Sequence, residues 1–210
     1  MTRYASFAAS LLLVLLVVAR EEVSGRRHND VLGCHNGTTV TVDECCQLPM
    51  LADPAVVEKC KAAHPFKPRG KGKPDGGAQP GACIAECILK EMGALKGANI
   101  NAVAFKQAVQ PTLKKNPSVA KLIDGAIDSC STLVEDAAFS RNKNTEAGGK
   151  PLCLASPKLF VNCVYSSLFQ NCPTDLWTKK DGCTQLKDKI KQGCPYFAMR
   201  KRHGRHHRPT

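Results

Sequence analysis

An all-α fold stapled by disulfides is predicted by three observations. Apolar residues recur at three- and four-residue steps, several segments open on a capping residue followed by proline, and 12 cysteines are spread along 210 residues. β-Branched residues cluster only at Thr38–Val42, too briefly to found a sheet. With one Trp, 3 Tyr and 7 Phe, the chain is not built around a large aromatic interior, and crosslinks supply part of its stability, each typically worth ~2–4 kcal/mol.

Residues 1–19 read as a removable secretory signal: Arg3, then the apolar run Ala8–Ala19, with Val17-Val18-Ala19 as the small-residue cleavage site. The run stops at Arg20-Glu21-Glu22, short of the ~20 apolar residues a span requires, so no membrane span is expected. Secretion puts the cysteines in an oxidising compartment, where an even number can pair completely, and no Cys-x2-Cys spacing favours zinc. Asn36-Gly37-Thr38 is the N-glycosylation acceptor sequence.

From residue 20 to residue 198 a single helical domain is expected. Asp53-Pro54, Asn116-Pro117 and Ser156-Pro157 each place a side-chain acceptor at a helix N-cap and a proline at the first helical position, where its missing N–H costs nothing. Residues 65–81 form a Pro/Gly/Lys-rich loop that cannot be helical. A helix over Ala82–Leu95 carries Cys83, Cys87 and Met92 on one face, and a shorter one over Ile100–Val109 carries Val103, Ala104 and Phe105. After Pro117 the stripe is Val119, Leu122, Ile123, Ala126, Ile127 and Cys130; after Pro157 it is Phe160, Cys163, Val164, Ser167 and Leu168. A last helix is expected over Leu186–Lys191, ending at Gly193, and residues 199–210 form a basic tail with little to pack.

The formal charge is +12, concentrated in that tail (Arg200, Lys201, Arg202, Arg205, Arg208) and in the loop (Lys67, Arg69, Lys71, Lys73). No stacking aromatics interleave with these cations, which argues against nucleic acid as a partner and leaves solvated segments, or attraction to an anionic surface, as their reading. Catalytic signals are missing: there is no Gly-x-Ser-x-Gly elbow, no His-Glu-x-x-His and no phosphate-binding loop. Adjacent Cys45-Cys46 is a feature of secreted phospholipase A2, but Gln47-Leu48-Pro49-Met50 follows where that enzyme carries a His-Asp pair. His203 and His207 are four apart but flank Gly204 among arginines, and Asp124 and Asp128 fit a solvated face better than an acid–base pair. No enzyme, cofactor or metal site is expected.

The specific signal is the cysteine ladder Cys60-x22-Cys83-x3-Cys87-x42-Cys130-x22-Cys153-x9-Cys163-x8-Cys172-Pro173-x9-Cys183, preceded by Cys34, Cys45 and Cys46 and followed by Cys194-Pro195. A four-residue step puts Cys83 and Cys87 on one helix face, where each can tie the helix to a neighbour. Spacing alone leaves the connectivity open, with adjacent Cys45 and Cys46 expected to take separate partners among Cys34, Cys183, Cys194 and whichever middle cysteine is left over. The ladder resembles that of the insect odorant-binding proteins, in particular their mosquito Plus-C subgroup. Carried onto this chain, the family pairing implies Cys60–Cys87, Cys83–Cys163, and Cys172 with Cys153, or with Cys130 if the subgroup's insertion shifts the assignment.

The resemblance implies a secreted, non-catalytic carrier that holds a small hydrophobic molecule, an odorant or semiochemical, between helices and delivers it to a receptor. It further implies homodimers or heterodimers with related carriers as candidate assemblies. Candidate cavity residues, taken from the larger apolar side chains on the helix stripes, are Leu89, Met92, Phe105, Leu122, Ile123, Ile127, Phe160, Val164, Leu168 and Trp177, with Tyr196 and Phe197 as a candidate lid. Two other classes compete: a helical interaction protein with a filled core, and a cationic defence protein that binds anionic surfaces through the tail and loop.

Overall fold

The computed structural model describes residues 31–65, 81–139 and 153–200. Cys34 onward forms one compact unit, and residues 1–33 are a separate unit of which only 31–33 are described. The signal, residues 66–80 of the Pro/Gly/Lys-rich loop and the tail beyond Arg200 lie outside the described residues. The elements are α1 (Val31–Cys34), α2 (Val42–Cys45), α3 (Pro54–Ala63), α4 (Ala82–Glu91), β1 (Leu95–Lys96), β2 (Asn99–Ile100), α5 (Ala102–Lys114), α6 (Pro117–Phe139), α7 (Ala155–Gln170), α8 (Cys183–Lys191) and a 3₁₀ turn (Tyr196–Met199). Among the described residues the domain is all-α apart from the two-residue antiparallel pairing of β1 with β2 and an isolated bridge between Cys46 and Trp177.

Local chemistry sets the boundaries. Asp53 caps α3 as expected, its Oδ1 accepting from Ala55 N–H at 2.7 Å with Pro54 following. Helix α4 ends well before Leu95 because Gly93 takes φ +67°, and Ala94 N–H reaches back to the Leu89 carbonyl at 2.8 Å, a six-residue closure that satisfies an end carbonyl. The chain then turns at Gly97 through β1 and β2 to Asn101, whose side chain accepts from Ala104 N–H and starts α5. Helix α5 runs through Pro111 to Lys114, five residues past the expected end, because Leu113 joins Phe105 and Val109 as a buried anchor beyond the proline.

Two expected side-chain caps are different in the structure. The Asn116 amide donates backward to the Thr112 carbonyl at 2.8 Å, closing α5, while its backbone carbonyl receives Val119 and Ala120. Helix α7 begins at Ala155, so Pro157 falls within the first turn rather than at its first position, and the Ser156 hydroxyl donates to the Ala98 carbonyl at 3.4 Å. The Thr38–Val42 segment is not a strand: Thr41 precedes α2, its N–H and hydroxyl both donating to the Glu44 carboxylate at 2.9 and 3.0 Å.

Those Thr41 donors, backbone first and then hydroxyl, together with the Lys180 ammonium, hold the Glu44 carboxyl at about 2. A carboxyl depressed in the folded state contributes stability fully above about pH 4.5 and loses it as the pH falls toward 2. Because Glu44 is exposed, the effect is small. Urea midpoints measured between pH 5 and pH 2 are expected to fall slightly less steeply for Glu44→Gln than for the unmodified chain, because the substituted side chain no longer takes up a proton over that range.

Six disulfides join all 12 cysteines, with no free cysteine. Three staple the helical body: Cys60–Cys87 (α3 to α4), Cys83–Cys153 (α4 to the segment before α7) and Cys130–Cys163 (α6 to α7). The other three, Cys34–Cys194, Cys45–Cys183 and Cys46–Cys172, form a nested ladder between the two ends of the domain. Cys60–Cys87 is the pairing the resemblance implied; Cys83–Cys163 and Cys153–Cys172 are not formed, and Cys172 does not take Cys130 either. Cys46 also goes outside its expected partners. The first-to-third, second-to-fifth, fourth-to-sixth order survives, but over Cys60, Cys83, Cys87, Cys130, Cys153 and Cys163, one cysteine earlier than the Cys163-x8-Cys172 spacing suggested.

Packing explains the shift. Glu86, one turn after Cys83, accepts Leu154 N–H at 2.6 Å, which sets the start of α4 beside Cys153 rather than beside Cys163 on the body of α7. Helices α6 and α7 make the most extensive helix pair, and Cys130 lies on the buried stripe of α6 facing α7. Cys172 is then left to the terminal layer, where Gln47 N–H and Thr178 N–H bond across to Leu176 and Cys45 carbonyls.

Candidate functional site

The main core is built by α4, α5, α6 and α7 from their three- and four-residue apolar steps. Leu89, Phe105, Ile123, Ile127, Phe160, Val164 and Leu168 are buried within it, and half-buried Met92 and Leu122 pack against it. Phe105 meets Phe160 edge to face at 5.0 Å, with Phe160 wholly buried. The buried Ser131 and Ser156 hydroxyls are each spent on a backbone carbonyl, so the described interior packs by shape and dispersion rather than charge. Val109, Leu113 and Val134, which sequence reading did not single out, complete the same cluster together with Val119 of the α6 stripe; Val109 and Leu113 lay at or past the expected end of α5.

Trp177 packs against this cluster from the terminal layer rather than from α4–α7. It pairs with Cys46 in an isolated bridge in the terminal layer, packs on Phe169 at 5.8 Å and carries the Lys187 ammonium 5.3 Å from its ring centre. This second aromatic group continues through Tyr196, stacked on Tyr165 at 5.2 Å, to Phe197, edge-on to Tyr165 at 5.2 Å. Tyr165 and Phe169 were missed because they lie beside the Phe160/Val164/Leu168 stripe. The available signal was composition: Ala155–Gln170 carries Lys158 as its one charged residue, the mark of a helix buried on more than one face.

The Tyr165 hydroxyl accepts from Leu51 N–H at 2.9 Å and donates to the Pro49 carbonyl at 3.2 Å, and burial pushes its pKa up. Burial likewise raises that of Tyr196, with the Asp43 carboxylate adding to it. Tyr196 is 1% exposed and so is part of the core, while Phe197, 40% exposed, covers Tyr165 from outside. The expected tail boundary at residue 199 moves outward: Met199 is 3% exposed and Arg200 holds Asp43 at 3.0 Å. The body therefore extends to the last described residue, fastened by Cys34–Cys194 on one side of the 3₁₀ turn and by this ion pair on the other.

Other candidates resolve into structure. Lys106 reaches Asp128 at 3.0 Å and Asp124 at 3.5 Å, so those two carboxylates share a cation on an exposed face. Among the described residues, no group of three or more His, Cys, Asp and Glu is arranged to hold a metal, and no helix is long and apolar enough to cross a membrane. His203 and His207 lie outside the described residues.

Residues 49–189, the stretch containing the whole helical body, match the model of the AgamOBP47-like family. The chain is 53% identical to general odorant-binding protein 67 of Anopheles gambiae over 200 residues, covering 94% of this chain and 96% of the relative. The chain belongs to the insect odorant-binding proteins, of the mosquito Plus-C type. Odorant-binding protein 47 of the same mosquito is 27% identical over 159 residues, 73% of this chain and 69% of the relative. Within this family the match begins at Pro49 and ends at Lys189, so it includes the body disulfides but omits Cys34, Cys45, Cys46 and Cys194 of the nested terminal bridges.

Proposed function

We propose that this chain is a secreted carrier that takes up one small hydrophobic molecule, an odorant or related semiochemical, among the helices α4–α7 and transports it through aqueous fluid to a receptor. The observation that carries this reading is the convergence of Leu89, Phe105, Ile123, Ile127, Phe160, Val164 and Leu168 from four helices onto one apolar cluster held by body disulfides. Membership of an odorant-carrier family supports the same reading. Removing an odorant's apolar surface from water, at ~25 cal/mol per Å², supplies micromolar affinity with few polar contacts when the host is held in shape beforehand. The bridges provide that preorganisation. In this reading no bond of the ligand is made or broken, and it leaves chemically unchanged.

The test is a titration of the fully oxidised chain with a polarity-sensitive dye, followed by displacement with volatile and fatty compounds. Saturable, displaceable binding in the micromolar range is expected. Monodisperse protein that gives no saturable signal contradicts the carrier reading and favours a filled-core interaction protein; salt-sensitive binding to anionic vesicles alone favours the cationic alternative.

A further inference from the structure

The sequence Asn36-Gly37-Thr38 falls in the turn between α1 and α2, away from the α4–α7 core. Asn36 is exposed, and its side-chain amide takes no part in the hydrogen bonds of the described residues. The backbone around it is held instead. Thr38 N–H closes the turn on the His35 carbonyl at 3.2 Å, the Thr38 hydroxyl donates to the Cys34 carbonyl at 3.2 Å, and Lys189 Nζ donates to both the Cys34 and Asn36 carbonyls. Gly37 takes φ +67°, which lets the chain reverse here without a strained side chain. Cys34–Cys194 anchors the base of the turn. An exposed amide that contributes nothing to the fold, presented by a turn fixed through its backbone, can bear a large polar substituent without displacing a packed group.

We infer that Asn36 is N-glycosylated, and this rests on the secretory route proposed above. The transfer joins Asn36 Nδ2 to the anomeric carbon of a lipid-pyrophosphate-linked oligosaccharide. The carbon–oxygen bond to the pyrophosphate breaks, the lipid pyrophosphate departs with that electron pair, and Nδ2 gives up one proton to a base of the transferase. The glycan rises from the terminal layer beside α8, where a Cβ on neighbouring Gly37 would stand 3.9 Å from Gln185 Nε2, and it leaves the α4–α7 core uncovered. Ligand affinity is therefore unchanged by its removal.

The full chain with its own leader is expressed in cultured insect cells, and intact masses are compared in the medium and in the cell lysate, before and after peptide N-glycosidase. The expected result is an added oligosaccharide that the enzyme removes, converting Asn36 to Asp; Asn36→Gln lacks it, Thr38→Ser keeps it, and dye affinity is the same for all. Protein in the medium at the bare polypeptide mass overturns the inference while leaving secretion intact. A chain retained in cells yet glycosylated upholds the inference and overturns secretion to the medium; a retained chain without sugar overturns both.

Discussion

Phe160→Ala is expected to be the most damaging single substitution in the core, lowering stability by about 3–5 kcal/mol. Phe160 is fully buried on α7, and its ring supplies the edge-to-face partner of Phe105 from α5. Truncation removes the transfer energy of the ring and leaves a void where α7 meets α5, in a core whose helices are tied by disulfides and relax only partly. Chemical denaturation of oxidised protein measures the loss. Phe160→Leu keeps most of the volume and is expected to cost roughly 1–2 kcal/mol. At temperatures where both variants remain folded, both are expected to alter ligand affinity, since the proposed site is built from these core side chains. A Phe197→Ala control, at a position 40% exposed on the terminal layer, is expected to leave affinity unchanged.

Second in size is the paired change Cys130→Ser with Cys163→Ser. The bridge spans 33 residues and ties α6 to α7, the two helices in most extensive contact. Its loss is expected to cost roughly 3–4 kcal/mol from the loop entropy restored to the unfolded chain. The variant is also expected to show no free thiol, because both partners are removed together. A Cys83–Cys163 bridge would instead leave two cysteines unpaired in the same variant, so thiol titration checks the connectivity independently of stability. The nested terminal bridges respond differently. Cys34–Cys194 spans 160 residues, yet with Cys45–Cys183 closed it encloses only the short end segments, so removing it is expected to cost nearer ~3 kcal/mol than the value for a free loop of that length.

The helices were legible where periodicity and capping agreed. Asp53-Pro54 fixed the start of α3, and the Val119–Cys130 stripe is the buried face of α6. Reading failed where a local conformation interrupts a pattern that composition alone would continue. Gly93 ends α4 with a positive φ, and the pairing of Leu95–Lys96 with Asn99–Ile100 is too short to show alternation. Asn116 has two ways to be useful at one junction, and it closes α5 instead of capping α6 through its side chain.

The candidate site was legible as a set of stripes but not as an assembly. Nine of the chosen residues lie on or at the ends of α4–α7, in or against the core, whereas Trp177, chosen for being unique, packs against it from the terminal layer, bridged to Cys46. Nothing in the spacing of Cys153, Cys163 and Cys172 distinguishes their partners; that choice is made by which helix faces meet, as Glu86 bonding to Leu154 illustrates. Tyr196 and Phe197 are neighbours in sequence but differ in role, since the short 3₁₀ turn buries the first against Tyr165 and leaves the second outside.

The most direct test of the carrier account is to record methyl and aromatic NMR shifts of the oxidised protein as a displacing ligand from the dye assay is titrated to saturation. Shift changes and ligand contacts concentrated at Leu89, Ile123, Ile127, Phe160, Val164 and Leu168, with one ligand per chain, are the predicted result. Contacts confined to Trp177 and the terminal layer, or none at all in the core at saturation, would contradict it.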